Sequence, residues 1–262
     1  MKIMGILNVT PDSFSDGGNY VDIEKAVAHG KQMVIDGADM IDIGGESTRP
    51  GARAVTLEEE LARVIPVIKR LKAEIDIPIS VDTYKAEVAR QAVEAGASVI
   101  NDISGAKLDL NMPKVMAESG AQVILMHNRP HSEEGEIVQL HEEVIAELKA
   151  SIELVTRAGV SPDKIMADPG IGFGKTMVQN AEILKNIDHY HDSLGVPILL
   201  GVSKKRTVRA LMESDDVDML TTGTVATTCY AYTKGVSYIR VHDVKENKLA
   251  INVMENLKEQ LL

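Results

Sequence analysis

Cysteine is almost absent from this 262-residue sequence. The single Cys229 allows no disulfide within the chain and no CxxC metal or redox pair. Together with twelve methionines, this points to a reducing compartment, and a cytoplasmic location is expected. Basic residues are scarce: 28 Lys and Arg stand against 39 Asp and Glu, a net charge of −11. Such a chain is ill suited to nonspecific nucleic-acid binding, so any anionic ligand needs a local basic site. No apolar run nears the roughly 20 residues of a membrane span. The segment Met1–Asn8 turns polar too early for a signal peptide. Neither a nucleic acid nor a membrane is therefore expected as a partner. Gly174-Lys175-Thr176 imitates the end of a phosphate-binding P-loop, but Pro169 stands where its first glycine belongs. A serine-hydrolase elbow is missing too. No linker, low-complexity tract or composition break divides the chain, so residues 1–262 read as one domain.

What is present is a regular alternation. Short apolar runs at 2–9, 40–43, 79–82, 98–101, 123–126, 164–168, 197–202 and 238–241 read as strands buried on both sides. Between and after them, helical spacing covers 22–37, 56–74, 85–95, 112–119, 137–158, 177–194, 217–234 and 244–261. Gly37, Gly96, Gly120, Gly159, Gly195 and Gly235 each stand where a helix stops before a strand. Eight β-α units in this length predict an α/β protein of the (β/α)8 TIM-barrel class. An open doubly wound sheet is the alternative, but it usually has fewer strands and often opens on a GxGxxG turn, which is missing here.

The strand ends carry the chemistry. Asn8, Asp42, Asp82, Asn101, the pair His127 and Asn128, Asp168, Ser203 and the pair Arg240 and His242 stand at or near them. One such residue would be a cap or a strand-end hydrogen bond; polar groups at every strand end predict a convergent site. Alternation puts Arg240 and His242 on one face, and likewise Ser80 with Asp82 and Ser203 with Lys205. Asp82, Asn101 and Asp168 suit a flat heterocycle with N–H and amino donors. Lys205 suits a ring carbonyl, with Met126 and Phe173 as apolar walls. Asn8, Arg240 and His242 suit a phosphate-like anion together with a divalent metal. The stretch Ala167–Lys175 holds Gly170, Gly172 and Gly174, which let the backbone approach a ligand closely.

In order, several segments resemble signatures of the dihydropteroate synthases, a family of pterin-binding enzymes. They are Asn8-Val-Thr-Pro-Asp-Ser-Phe-Ser-Asp-Gly-Gly18, Asp42-Ile-Gly-Gly-Glu-Ser-Thr-Arg-Pro-Gly51, Ser80–Thr83, Ile100–Gly105, Asp168–Lys175 and Arg240–Val244. The resemblance spans essentially the whole chain. It implies an Mg2+-dependent transferase of folate biosynthesis, a target of sulfonamides. Such an enzyme joins 6-hydroxymethyl-7,8-dihydropterin diphosphate to 4-aminobenzoate and releases diphosphate. It also implies a homodimer. By this resemblance, Asp82, Asn101, Asp168 and Lys205 hold the pterin while Arg240 stacks on it. Asn8, Arg240 and His242 take the diphosphate, Asn8 meeting the metal, and Lys205 belongs with these three in the catalytic set. Thr48, Arg49, Pro50 and Phe173 border the aminobenzoate, with Arg206 at its carboxylate. Two departures stand out: Ser203-Lys-Lys-Arg-Thr207 replaces the usual Ser-Arg-Lys-(Ser or Arg)-Phe, and Met126-His-Asn-Arg-Pro130 replaces Met-His-Met-x-Gly. No role is assigned to Arg129. The loops at 10–21 and 44–55 are expected to close over the site. A methyltetrahydrofolate:corrinoid methyltransferase-like enzyme shares the barrel and pterin pocket but has no use for the first two signature loops. A non-catalytic pterin-binding protein would have no need of the anion cluster.

Overall fold

The alternation read from the sequence is realised as eight parallel strands with helices outside them in a computed structural model, which describes residues 1–10, 20–47, 53–130, 137–214 and 216–260. β1 (Lys2–Asn8) leads to α1 (Tyr20–Ile35), β2 (Met40–Gly44) to α2 (Leu57–Lys72), and β3 (Ile79–Asp82) to α3 (Ala86–Ala95). β4 (Val99–Asp102) precedes α4 (Met112–Ser119), and β5 (Gln122–Met126) precedes α5 (Ile137–Ala158). After β6 (Ile165–Asp168) come α6 (Met177–Lys185) and α7 (Ile187–Leu194). After β7 (Leu199–Leu200) come α8 (Arg206–Leu211) and α9 (Leu220–Thr233); β8 (Tyr238–Val241) and α10 (Val244–Gln260) follow. The strand order is β6-β5-β4-β3-β2-β1-β8-β7. The ring closes between β6 and β7 through one parallel bridge, Ala167 to Ile198, which includes a 3.0 Å bond from the Ala167 N–H to the Pro197 carbonyl.

Strand alternation divides the interior in two. Met4, Met40, Val99, Ile124, Met166 and Leu199 fill the lower lumen, with Tyr238 against them. Ile3, Leu7, Ile41, Ile43, Val81, Leu125 and Val241 face outward under the helices. Burying each such side chain contributes about 1.5–3 kcal/mol, so floor and outer layer together hold the strand ends in place. All six glycines expected at helix stops take positive φ, the left-handed turn that closes a helix. Thr56 caps α2 and Thr176 caps α6, each in a reciprocal box with Glu59 or Gln179.

Three elements differ from the sequence reading. The helix expected over 177–194 breaks at Asn186, whose φ/ψ of −110/30 leaves the helical range and whose amide bonds back to Glu182. β7 shrinks from six residues to two. Helix α8 arises where no helix was expected, since six residues are too few to show a period. Among the described residues, no helix is long and apolar enough to cross a membrane.

Candidate active site

The polar strand-end residues meet at the C-terminal end of the barrel. Arg240, third residue of β8, reaches across the lumen: its Nε donates to Asp42 Oδ2 at 2.6 Å and its Nη2 to Asp82 Oδ2 at 2.7 Å. The Asn101 amide nitrogen donates to the same Asp42 oxygen at 3.2 Å. Asn8 comes close to this group because Gly44 is bare: a Cβ built there would lie 3.7 Å from Asn8 Oδ1 and 3.5 Å from the Asp82 Cβ.

A second cluster forms on the opposite side. Asp168 Oδ1 accepts the Gly170 N–H at 2.7 Å, and its Oδ2 lies beside bare Gly201, as does Lys205 Nζ. Lys205 Nζ donates to the Ile171 carbonyl at 2.6 Å and sits 4.7 Å from the centre of the Phe173 ring. Met126 is buried on the lumen face of β5. His242 Nδ1 lies 2.9 Å from Ser203 Oγ, which also accepts the His242 backbone N–H at 3.1 Å.

Lys205 faces the site for a reason other than the alternation expected of it. β7 has already ended; the chain turns at Lys204, with φ +55, and Lys205 caps α8. Lys204 points away and pairs with Asp243 at 2.8 Å. Arg206 is exposed. It lines a cleft of about 350 Å3 with Met177, Arg209, Ala210, Glu213 and Ser214, outside the polar cluster. Thr48, Arg49 and Pro50 lie outside the described residues, as do 11–19 of the first loop.

Burial dominates the electrostatics. It raises the carboxyl pKa of Asp168 against the pull of Lys205, the Gly170 N–H and Lys175. It raises that of Asp82 against Arg240, and repulsion from Asp42 adds to the rise. Lys205 is pushed down to about 8 by burial, with Asp168 opposing. Burial works against the Arg240 charge as well, but Asp42 and Asp82 outweigh it and raise its pKa.

Four residues here escaped the sequence reading. Asp42 stands at a strand end where the sequence assigns it no role, although a carboxylate between buried Ile41 and Ile43 must find a partner. Ser203, which alternation puts on one face with Lys205, bonds His242. Buried Lys175 holds the glycine loop from inside, donating to the Gly170 and Phe173 carbonyls at 2.9 and 3.1 Å. Arg129 holds it from outside through Gly174 O, Gln179 and Glu143. The loop presses so closely on the exit of β5 that a Cβ at Gly170 would lie 1.9 Å from the His127 carbonyl, and one at Gly174 1.9 Å from that of Arg129. Nothing in the local sequence marks Arg129 for this task.

Residues 4–242 match the sequence profile described as pterin binding enzyme. A dihydropteroate synthase from Clostridium beijerinckii is 50% identical over 254 residues, covering 97% of this chain and 93% of that protein. A crystal structure of dihydropteroate synthase from Clostridium difficile, obtained in the presence of pteroic acid, superposes with a TM-score of 0.92 at 46% identity; the match covers 98% of this chain and 96% of that one. The Xanthomonas albilineans dihydropteroate synthase in complex with 7,8-dihydropteroate gives a TM-score of 0.88 at 40% identity, over 98% and 93% of the two chains.

Proposed function

The chain belongs to the pterin binding enzyme family and catalyses the dihydropteroate synthase reaction of folate biosynthesis, and from that premise we propose how its residues divide the work. Asp82, Asn101, Asp168 and Lys205 hold the pterin ring of 6-hydroxymethyl-7,8-dihydropterin diphosphate. Met126 and Phe173 wall it, and Arg240 lies against it. The observation carrying this reading is the convergence of Asp82, Asn101 and Asp168 with Arg240 and Lys205 at one barrel end. Carboxylate and amide oxygens accept from the N–H edge of such a ring, while the lysine donates to its carbonyl.

Asn8, Arg240 and His242 receive the diphosphate. The Ser203 hydroxyl, accepting the His242 N–H, has its proton left for Nδ1; His242 then offers Nε2–H to the anion. Among the described residues, no group of three or more His, Cys, Asp or Glu is arranged to hold a metal ion. Mg2+ keeps most of its waters and binds through one or two protein oxygens plus substrate phosphate. Asn8 would hold it, and when bound it would take up negative charge on the departing diphosphate. Thr48, Arg49, Pro50, Phe173 and Arg206 border the 4-aminobenzoate.

The reaction is a dissociative substitution. An arylamine is a nucleophile at neutral pH, so no strong general base is needed. Arg240 and His242 stabilise charge as the bond from the pterin methylene to the diphosphate oxygen breaks, its electron pair leaving with the diphosphate; the electron-rich ring supports the positive methylene, and the amine then forms the new C–N bond and gives up one N–H proton to solvent. The lone cysteine supports a cytoplasmic location. Diphosphate release, assayed with and without 4-aminobenzoate, tests the activity. Release with formation of dihydropteroate supports it; no release with both substrates present overturns it.

A further inference from the structure

Asp42 lies one layer below the ring-binding residues. In the register of the barrel it pairs with Ser80, two residues before Asp82, and its side chain is 0 % exposed. It is thus too deep to line the mouth of the pocket. Its Oδ2 nevertheless joins two residues that do, Arg240 through Nε and Asn101 through the amide nitrogen. Both contacts carry directional information. A guanidinium held at Nε by one strand and at Nη2 by the next has its plane fixed. A carboxylate accepts only, so the Asn101 amide must turn its nitrogen toward Asp42 and its oxygen away.

We propose that Asp42 is a positioning residue for the reaction: it sets the plane of Arg240 and presents Asn101 to the substrate as an acceptor, without touching the substrate itself. This rests on the reading of Asn101 and Arg240 as ring contacts. Without Asp42 the Asn101 amide is free to rotate and offer a donor to the ring's own N–H groups. Arg240 is then also released to pair with Asp82 alone.

Asp42→Asn keeps the shape and removes the charge. Calorimetric titration with 6-hydroxymethylpterin should show affinity about tenfold weaker at neutral pH, the loss of one well-made charged hydrogen-bond arrangement. A merely structural defect would weaken binding equally at every pH. Here the acid limb, where protonation of Asp82 costs an acceptor, should also move to lower pH, because Asp82 loses Asp42 as a repelling neighbour, with Glu60 and Asp102 remaining, and gains the whole of Arg240. If Asp42→Asn does not fold, Asp42→Ser, uncharged but still an acceptor, should show the same limb shift. Undiminished affinity, or an unmoved acid limb, in the folded variant while Asn101→Ala loses pterin binding overturns the proposal alone. Undiminished affinity in both Asp42→Asn and Asn101→Ala overturns the pocket reading together with it.

Discussion

Asp168 shows how a binding residue acts against the fold that carries it. Its carboxylate is buried beside Lys205, and burial holds its pKa above the ordinary value. A raised carboxyl pKa means that the folded protein binds the proton more tightly than the unfolded chain. The ligand-free protein is therefore stabilised as pH falls from the folded pKa toward the ordinary one, and pays in stability above it. Asp168→Asn should accordingly raise the thermal midpoint of the free protein at pH 7–8, while pterin affinity drops by about 2–3 kcal/mol because a donor now faces donors. A lowered midpoint together with intact affinity would sink this account. Lys205 has the opposite sign. Burial brings its pKa to about 8, so its charge is lost as pH rises through that value. Pterin affinity should decline above pH 8, and Lys205→Ala should both weaken binding and abolish that alkaline limb. Lys204→Ala should leave affinity near the wild-type value, since Lys204 turns away to Asp243. If the two lysine variants exchange these behaviours, the turn at Lys204 is misassigned.

At the scale of elements, the glycine loop between β6 and α6 is held from three directions. Lys175 bonds it inside, Arg129 bonds it outside, and Thr176 with Gln179 closes its end as a capping box. Gln179 Oε1 accepts both the Thr176 N–H, at 3.0 Å, and Arg129 Nη2, at 3.2 Å, so the cap and the outer brace share one atom. Positive φ at Gly174 and backbone contact with Arg129 leave no room for a methyl group. Gly174→Ala should cost on the order of 3 kcal/mol in urea unfolding. Arg129→Ala should cost less, about 1 kcal/mol, yet weaken pterin binding through the loop that carries Phe173. Equal stability of Gly174→Ala and wild type would show that the loop yields where its packing says it cannot.

At the scale of the whole molecule, the barrel is weakest where β6 meets β7. One isolated bridge closes it there, whereas β1 and β2 pair over five residues. Amides of Leu199 and Leu200 should exchange with solvent faster than those of Gly5 to Leu7, as read by hydrogen exchange under native conditions. The reverse order would place the weak seam elsewhere. Much of this architecture was legible in the sequence. The eight strands, the order of helices and the glycine stops rest on contacts between residues a few positions apart, which period and composition record directly. The convergence of Asn8, Asp82, Asn101, Asp168, Arg240 and His242 was legible for the same reason, because a parallel barrel brings all its strand ends to one side. Tertiary structure alone decided the pairings within that group. Arg240 and Asp42 are 198 residues apart and meet only because the ring has closed. The brace at Arg129, the break at Asn186 and the turn that aims Lys205 likewise depend on partners that no local pattern announces. Local sequence sets which groups reach the end of a strand; the geometry of closure sets the distances at which charges, donors and acceptors pair across the lumen.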